Sequence, residues 1–187
     1  MAKRSYPPQE ALYPAPVVLV SCGDIRSGQT NIITIAWCGI VCSNPPQISV
    51  SIRPSRLSHK IISEKREFAV NIPKKHMLKS VDLCGMKSGK DTDKFAASGF
   101  TPVSASKISA PIIKECPVNI ECLSRRVISL GTHDIFIGEV VAVNIDDEVL
   151  AEDGKIDYSK ADPLVYNQGQ YWSLDKMLGP YGLSSTK

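Results

Sequence analysis

Asn31-Ile32-Ile33-Thr34-Ile35-Ala36-Trp37, followed by Ser49-Val50-Ser51-Ile52-Arg53-Pro54-Ser55-Arg56-Leu57-Ser58-His59 and then by Phe68-Ala69-Val70-Asn71-Ile72-Pro73, is the stretch that decides the fold. In the middle piece Ile48, Val50 and Ile52 fall on one face of a strand and Ser49, Ser51 and Arg53 on the other. One face is therefore core and the other is free for a polar ligand. The strand runs directly into a segment where Leu57, Ile61 and Ile62 recur at helical spacing, with Ser55 as the expected N-cap. Arg53, Arg56 and the hydroxyls of Ser55 and Ser58 thus crowd a helix N-terminus. Free N–H groups, the positive end of the helix dipole and bidentate guanidinium bonds converge there on any phosphoryl group. Taken alone, the same residues also suit a solvated strand face and a capping turn.

The flanking sequence continues the pattern of short strands. Residues 17–22 and 31–38 are apolar runs joined by a polar hairpin loop at 23–30, and Asn44-Pro45-Pro46 breaks the chain before the next strand. Residues 67–72 alternate Phe68, Val70 and Ile72 against Glu67, Ala69 and Asn71. Short helices fit at 55–65, 74–84 and 92–97. After Pro111, Val118, Ile120 and Cys122 alternate against Asn119 and Glu121, and the chain reverses at Gly131-Thr132 into residues 135–145. Gly138 inside that strand marks a bulge or a close approach by another group. Many antiparallel strands with few helices exclude a doubly wound parallel sheet and point to a mainly β fold with a closed or half-open antiparallel barrel.

Composition narrows the function classes. A chain of 187 residues, 43% hydrophobic and 22% charged, has the make-up of one folded domain over residues 1–187, with a core of about 16–174. A net charge of +3 is too small for a nucleic-acid binder. No apolar run is long enough to cross a membrane as a helix, and residues 1–10 lack the apolar centre of a signal peptide, so a cytoplasmic protein is expected. The six cysteines, Cys22, Cys38, Cys42, Cys84, Cys116 and Cys122, lie in apolar strands and are expected to be buried, reduced thiols. Their spacing matches no common zinc or iron–sulfur pattern, so no metal is expected. The tail after Leu174 is expected to be mobile unless it covers a partner subunit.

Other motifs fall away on inspection. Gly85-Met86-Lys87-Ser88-Gly89-Lys90-Asp91 is one residue short of a P-loop and has Asp91 where a hydroxyl must meet magnesium. There is no Gly-x-Gly-x-x-Gly fingerprint for a resident dinucleotide.

The order of these segments resembles the flavin reductase-like family, whose fold is the FMN-binding split β-barrel, and in particular its flavoredoxin-like branch. Asp91-Thr92-Asp93-Lys94-Phe95, the run from Gly131 through His133 to Val140, Pro163-Leu164-Val165-Tyr166 and Gly169-Gln170-Tyr171-Trp172 carry the rest of the resemblance. It implies a homodimer that binds FMN non-covalently near the subunit interface. It further implies that Asn31, Ser51, Arg53, Ser55, Arg56 and Ser58 serve the cofactor, with Ser58 on the phosphate. Similar proteins often carry Thr at the position of Ser58, and the hydroxyl is retained. Trp37 and Tyr166 match positions flanking the flavin; an apolar strand around Trp37 equally suits core packing. Lys94 matches a position where a cation stabilises the reduced flavin, although by itself it reads as a surface lysine. His133, at the head of a strand, matches a position that meets the flavin or the electron donor, and otherwise reads as a histidine bonded to nearby backbone. Lys94 and His133 are the expected catalytic pair.

Two functional classes fit this reading. One is an enzyme that moves reducing equivalents from NAD(P)H through FMN to flavin, a ferric complex or a protein acceptor. The other is an electron carrier that exchanges with a redox protein partner, and a non-redox flavin-binding protein stands behind both.

Overall fold

The computed structural model describes residues 2–185. Its body is a seven-stranded antiparallel sheet made by β2 (Val18–Asp24), β3 (Gln29–Ile35), β4 (Cys38–Ser43), β5 (Pro46–Ile52), β6 (Glu67–Ile72), β9 (Val118–Ser129) and β10 (Asp134–Ile145), in the order β3-β2-β6-β9-β10-β5-β4. A three-stranded sheet of β1 (Ala15–Pro16), β11 (Leu164–Asn167) and β12 (Gln170–Ser173) packs beside it, and β7 (Pro102–Val103) pairs with β8 (Ile112–Ile113). Four short helices, α1 (Leu57–Lys65), α2 (Leu78–Met86), α3 (Lys94–Ser98) and α4 (Tyr158–Ala161), complete the described chain.

Connectivity alone requires the large sheet to close. Its two edge strands, β3 and β4, are consecutive in sequence with only Ala36 and Trp37 between them. In a flat sheet those edges would lie about 28 Å apart, six strand spacings. Three Cα steps from Ile35 to Cys38 reach at most about 11 Å. The sheet therefore rolls until its edges meet at the 36–37 turn, where the Ser51 N–H donates to the Trp37 carbonyl at 2.8 Å and carries the β4–β5 pairing back into the turn.

The apolar run at 17–22 is continuous because β2 is buried on both faces. Val18, Val20 and Cys22 join Phe68, Val70, Val50, Ile52 and Phe136 inside the barrel, whereas Val17 and Leu19 meet Val81 and Cys84 of α2, Phe95 of α3 and Leu164 of β11. Strand β6 is also buried on both faces, and the expected polar side of its alternation becomes a buried hub. Asn71 Nδ2 donates to Leu19 O and Ser21 Oγ, each at 2.9 Å, while its Oδ1 accepts from Ile113 N and Asn119 Nδ2. Glu121, fully buried, accepts from Ser106 N and Oγ, Lys107 N and Asn144 Nδ2. Asn71 and Glu121 are tolerated on central strands because each has its partners, whereas the buried Ser124 hydroxyl on β9 has none among the described residues. The sequence pattern at Gly138 has a direct cause: a Cβ there would stand 2.5 Å from Phe68 Cζ, and the β9–β10 register shifts beside it.

Several local expectations are corrected. The run at 31–38 is not one strand, since β3 ends at Ile35 and the seam turn starts a new strand at Cys38. The loop expected at 23–30 shrinks to a single turn around Ile25–Ser27 because β2 and β3 extend into it. Ser55 is not the N-cap of α1; the helix begins two residues later, behind the turn closed by Arg56 N–H on Arg53 O, and Arg56 is the capping residue. All six cysteines are free thiols, but Cys38 and Cys42, on edge strand β4, are only half-buried.

Candidate functional site

The barrel seam opens into a cavity of about 260 Å³. Its walls come from elements that the closure brings together. The seam turn supplies Ala36 and Trp37, the end of β5 supplies Ser51 and Ile52, and the following turn supplies Arg53 and Arg56. The β9–β10 turn adds His133, the C-terminal end of α2 adds Gly85 and Met86, and the small sheet adds Tyr166 and Tyr171.

One wall is aromatic. Trp37 meets Tyr166 edge-on, with ring centroids 5.7 Å apart at 60°, and Tyr166 is flanked by Tyr13 at 6.0 Å and Tyr171 at 6.3 Å. Such tilted contacts hold each ring without stacking it, which leaves Trp37, 40% exposed, with a free face. The Tyr171 hydroxyl donates to Asp82 Oδ1 at 3.2 Å, and burial together with that carboxylate pushes its phenol up to about 12.

Another part of the wall is basic. Arg53 leaves β5 into solvent, and Arg56, half-buried, caps α1 with no side-chain bond to the helix. The first-turn N–H groups of α1 therefore have no side-chain acceptor from their N-cap residue. His133 lines the same cavity within reach of the Arg53 charge, its Nδ1 3.0 Å from Thr132 Oγ1. Burial holds this imidazole below its usual value and the Arg53 charge adds to the effect, so the ring is mostly neutral near pH 7.

Three of the sequence-derived residues lie behind the wall instead of on it. Ser58 is fully buried and its Oγ accepts from Asn31 Nδ2 at 2.8 Å. Lys94, at the start of α3, is buried with its Nζ donating to the Cys84 carbonyl at 2.7 Å. Burial pulls the Lys94 pKa down and Arg56 adds to this, against the opposing influence of Cys84 and Cys22. Lys94 is thus a buried cation near the arginine end and not the surface lysine that its sequence context suggests. Gly89 explains how loop 87–93 lies close over Asn31, because any Cβ at that position would collide with the Asn31 side chain. Ser55 is exposed in the turn and does not line the cavity. The structure thus brings together Trp37, Ser51, Arg53, Arg56, His133 and Tyr166 around one cavity, sets Asn31, Ser58 and Lys94 behind it, and leaves Ser55 outside.

Sequence reasoning missed Tyr171, Tyr13, Thr34, Gly85 and Met86. Tyr171 lies in a segment already singled out. Nothing local marks Met86, which reaches the cavity only because α2 packs on β3, with Thr34 Oγ1 donating to Val81 O at 2.5 Å. Among the described residues no group of three or more His, Cys, Asp or Glu is arranged to hold a metal ion.

A fold closed at a seam, with aromatic and basic walls in the opening, also has relatives. The model of the flavin reductase like domain matches residues 11–175 of the chain. The chain belongs to the flavin reductase-like family. Flavoredoxin of Desulfovibrio vulgaris (Miyazaki F) superposes with a TM-score of 0.91 at 34% identity, over 99% of this chain and 100% of that one. Flavoredoxin from Methanosarcina acetivorans gives a TM-score of 0.87 at 29% identity, over 98% and 100%. A flavin reductase with a split barrel domain from Shewanella frigidimarina gives 0.80 at 26% identity, over 90% and 86%. The architecture of this family member is thus the split barrel, in agreement with the sequence reading. Among the described residues no helix is long and apolar enough to cross a membrane.

Proposed function

We propose that this flavin reductase-like protein binds FMN non-covalently in the seam cavity. There it would pass electrons from NAD(P)H, or from a redox protein partner, to flavin, a ferric complex or a protein acceptor. The observation that carries the reading is the meeting, in one cavity, of an aromatic wall with Arg53 and Arg56, the second of them the N-cap residue of α1, which makes no side-chain cap bond. That set fits a planar ring joined to a single phosphoryl group. There is one anion end and no dinucleotide fingerprint, which favours FMN over FAD.

Bound FMN supplies one- and two-electron redox chemistry, and the chain sets its binding and orientation. Arg56 and the first-turn N–H groups of α1 bind the phosphoryl oxygens, with Arg53 adding charge from the solvent side and Ser51 a hydroxyl. Trp37 and Tyr166 flank the ring and keep water from one side. His133, mostly neutral, holds a proton acceptor at the cavity edge where a donor arrives. Lys94 contributes positive charge from behind the wall, and Asn31 and Ser58 fix the turn that binds the anion.

A homodimer is part of this reading. The face of β4 exposes Ile40 (82%) and Val41 (51%), and the adjoining groove is lined by Ile48, Ile72, Ile120 and Leu174. That much apolar surface suits a second copy of the chain. Six free thiols suit the reducing cytoplasm. The carrier reading, without nicotinamide turnover, uses the same cavity and is separated from the enzyme by the response to NADH and NADPH.

The test starts with the absorption spectrum of the purified protein and chromatography of acid-released cofactor. Predominant FAD refutes the FMN assignment, and a colourless protein that takes up no added FMN refutes the flavin reading. Anaerobic NADH and NADPH then divide the classes: bleaching supports the enzyme, and a yellow but inert protein supports the carrier. Light scattering checks the dimer.

A further inference from the structure

The first turn of α1 is tied from two sides. From β3, Asn31 donates to Ser58; from β10, the next residue, His59, meets Asp134 with Nε2 2.7 Å from Oδ2. The His59 and Asp134 side chains are only 16% and 14% exposed. The His59 ring packs edge-on against Phe136, centroids 5.0 Å apart at 76°, which fixes its plane.

The position of Asp134 gives this contact its meaning. It opposes Ile52 on β5 and Ser129 on β9, so it stands beside the residue preceding Arg53 and directly after His133. One residue thus joins, through its backbone, the strand that delivers Arg53 and the turn that carries His133, and, through its carboxylate, the helical turn that carries Ser58 and follows Arg56. Neither His59 nor Asp134 lines the cavity, so any effect they have on a ligand passes through those neighbours. Hydrogen bonds from His59 and Ser129 hold the Asp134 carboxyl below its usual range, which keeps it ionised near neutral pH. Helix ends fray, and Arg56 provides no side-chain cap. N–H groups aimed at an anion bind well only when their direction is fixed before the anion arrives.

We propose that His59 and Asp134 form a positioning pair that locks the first turn of α1 against the head of β10 and thereby sets the affinity of the cavity for a phosphoryl group. The identity of the ligand rests on the FMN reading above, whereas the positioning itself needs only the anion end.

The experiment titrates FMN, riboflavin and inorganic phosphate into apo-protein for the wild type and for His59→Leu, His59→Gln and Asp134→Asn, with apo melting curves alongside. His59→Leu keeps bulk and deletes the bond; it should weaken FMN and phosphate binding about tenfold or more while riboflavin changes by less than about twofold. His59→Gln retains a donor for Asp134 and should recover affinity to within about threefold of wild type. Asp134→Asn is near-isosteric, so it carries the same comparison where His59→Leu fails to fold, and it should weaken both phosphoryl ligands selectively. Wild-type affinity for FMN and phosphate in both His59→Leu and Asp134→Asn overturns the proposal. So does an equal loss for FMN and riboflavin, because the pair would then support the fold and not the anion turn. A wild type that binds phosphate but not FMN refutes the flavin reading while the phosphate arm still decides this one. Binding of neither removes the anion end and overturns both.

Discussion

Replacing Arg56 and Arg53 by Ala, one at a time, should have unequal effects that follow from their placement. Arg56 is half-buried at the N-cap of α1, and Arg53 is exposed where β5 ends. A charge-assisted hydrogen bond in a partly dehydrated setting contributes about 1.5–3 kcal/mol, whereas an exposed ion pair contributes about 0.2–1 kcal/mol. Arg56→Ala should therefore weaken FMN about 10- to 150-fold, and Arg53→Ala only about 1.5- to 5-fold. Salt gives a second axis, because the Debye length falls from about 10 Å at 0.1 M to about 3 Å at 1 M and screens exposed charges first. The Arg53 effect should vanish at high salt while most of the Arg56 effect survives. Fluorescence titration of FMN at two ionic strengths, with riboflavin as the ligand lacking a phosphate, measures both. Arg53→Ala costing as much as Arg56→Ala, or riboflavin losing affinity in step with FMN, would refute the assignment of this turn as the anion end.

Lys94→Met should leave oxidised FMN bound but lower its midpoint potential, by about 30 mV for each tenfold change in a two-electron equilibrium, as read by spectroelectrochemistry. His133→Ala should slow reduction by external donors, measured by stopped flow, with little change in the bound-flavin spectrum. Glu121→Gln should destabilise the fold by roughly 1.5–3 kcal/mol near pH 7, because burial alone would raise this carboxyl but donors from Ser106, Lys107 and Asn144 hold it below its usual value. A folded-state value below the unfolded one means its contribution is present above the ordinary carboxylate range and lost as pH falls through the folded value, so melting temperatures of the two proteins should converge in acid. Gly138→Ala should lower the melting temperature through overpacking of about 1–3 kcal/mol against Phe68, and trimming Phe68 to Leu in the same chain should return part of it.

What could be read from the sequence was what repeats along it. The alternation of Ile48, Val50 and Ile52 against Ser49, Ser51 and Arg53 survives in β5, and the Gly138 signal proves to be both a close approach and a register shift. Ser55 failed as a cap because the competing backbone turn from Arg53 to Arg56 delays the helix by two residues, and side-chain capping preferences say nothing about that turn. Lys94 and Asn71 failed differently. A lysine after Asp93 looks solvated, and an asparagine opposite Val70 looks like the wet face of a strand. Both are buried because groups remote in sequence, the Cys84 carbonyl in one case and the Ser21, Ile113 and Asn119 partners in the other, supply their hydrogen bonds. A period of two cannot distinguish a solvated face from one covered by a second layer.

The location of the site, by contrast, follows from one short connection that no local pattern flags. Ala36 and Trp37 join the two edges of a seven-stranded sheet, so the barrel must close where they lie. Among the described residues the two edges form no ladder with each other, and Ser51 N–H on Trp37 O only continues the β4–β5 pairing into the turn. The rest of the gap is lined by side chains, and the nearest are those that end strands at the same level: Ile35 of β3, Ile52 and Arg53 at the end of β5, and His133 before β10. The helix that follows β5 then starts at the rim with its N-terminus beside the opening, and α2 covers the other side. An opening at that rim is therefore built from strand ends and one helix start, which places Arg53 and Arg56 beside Trp37 without any of the three being neighbours of the others in a single regular element. An insertion that lengthened the 36–37 turn would relax the demand for closure, and the cavity should lose its Trp37 wall before the barrel loses its core.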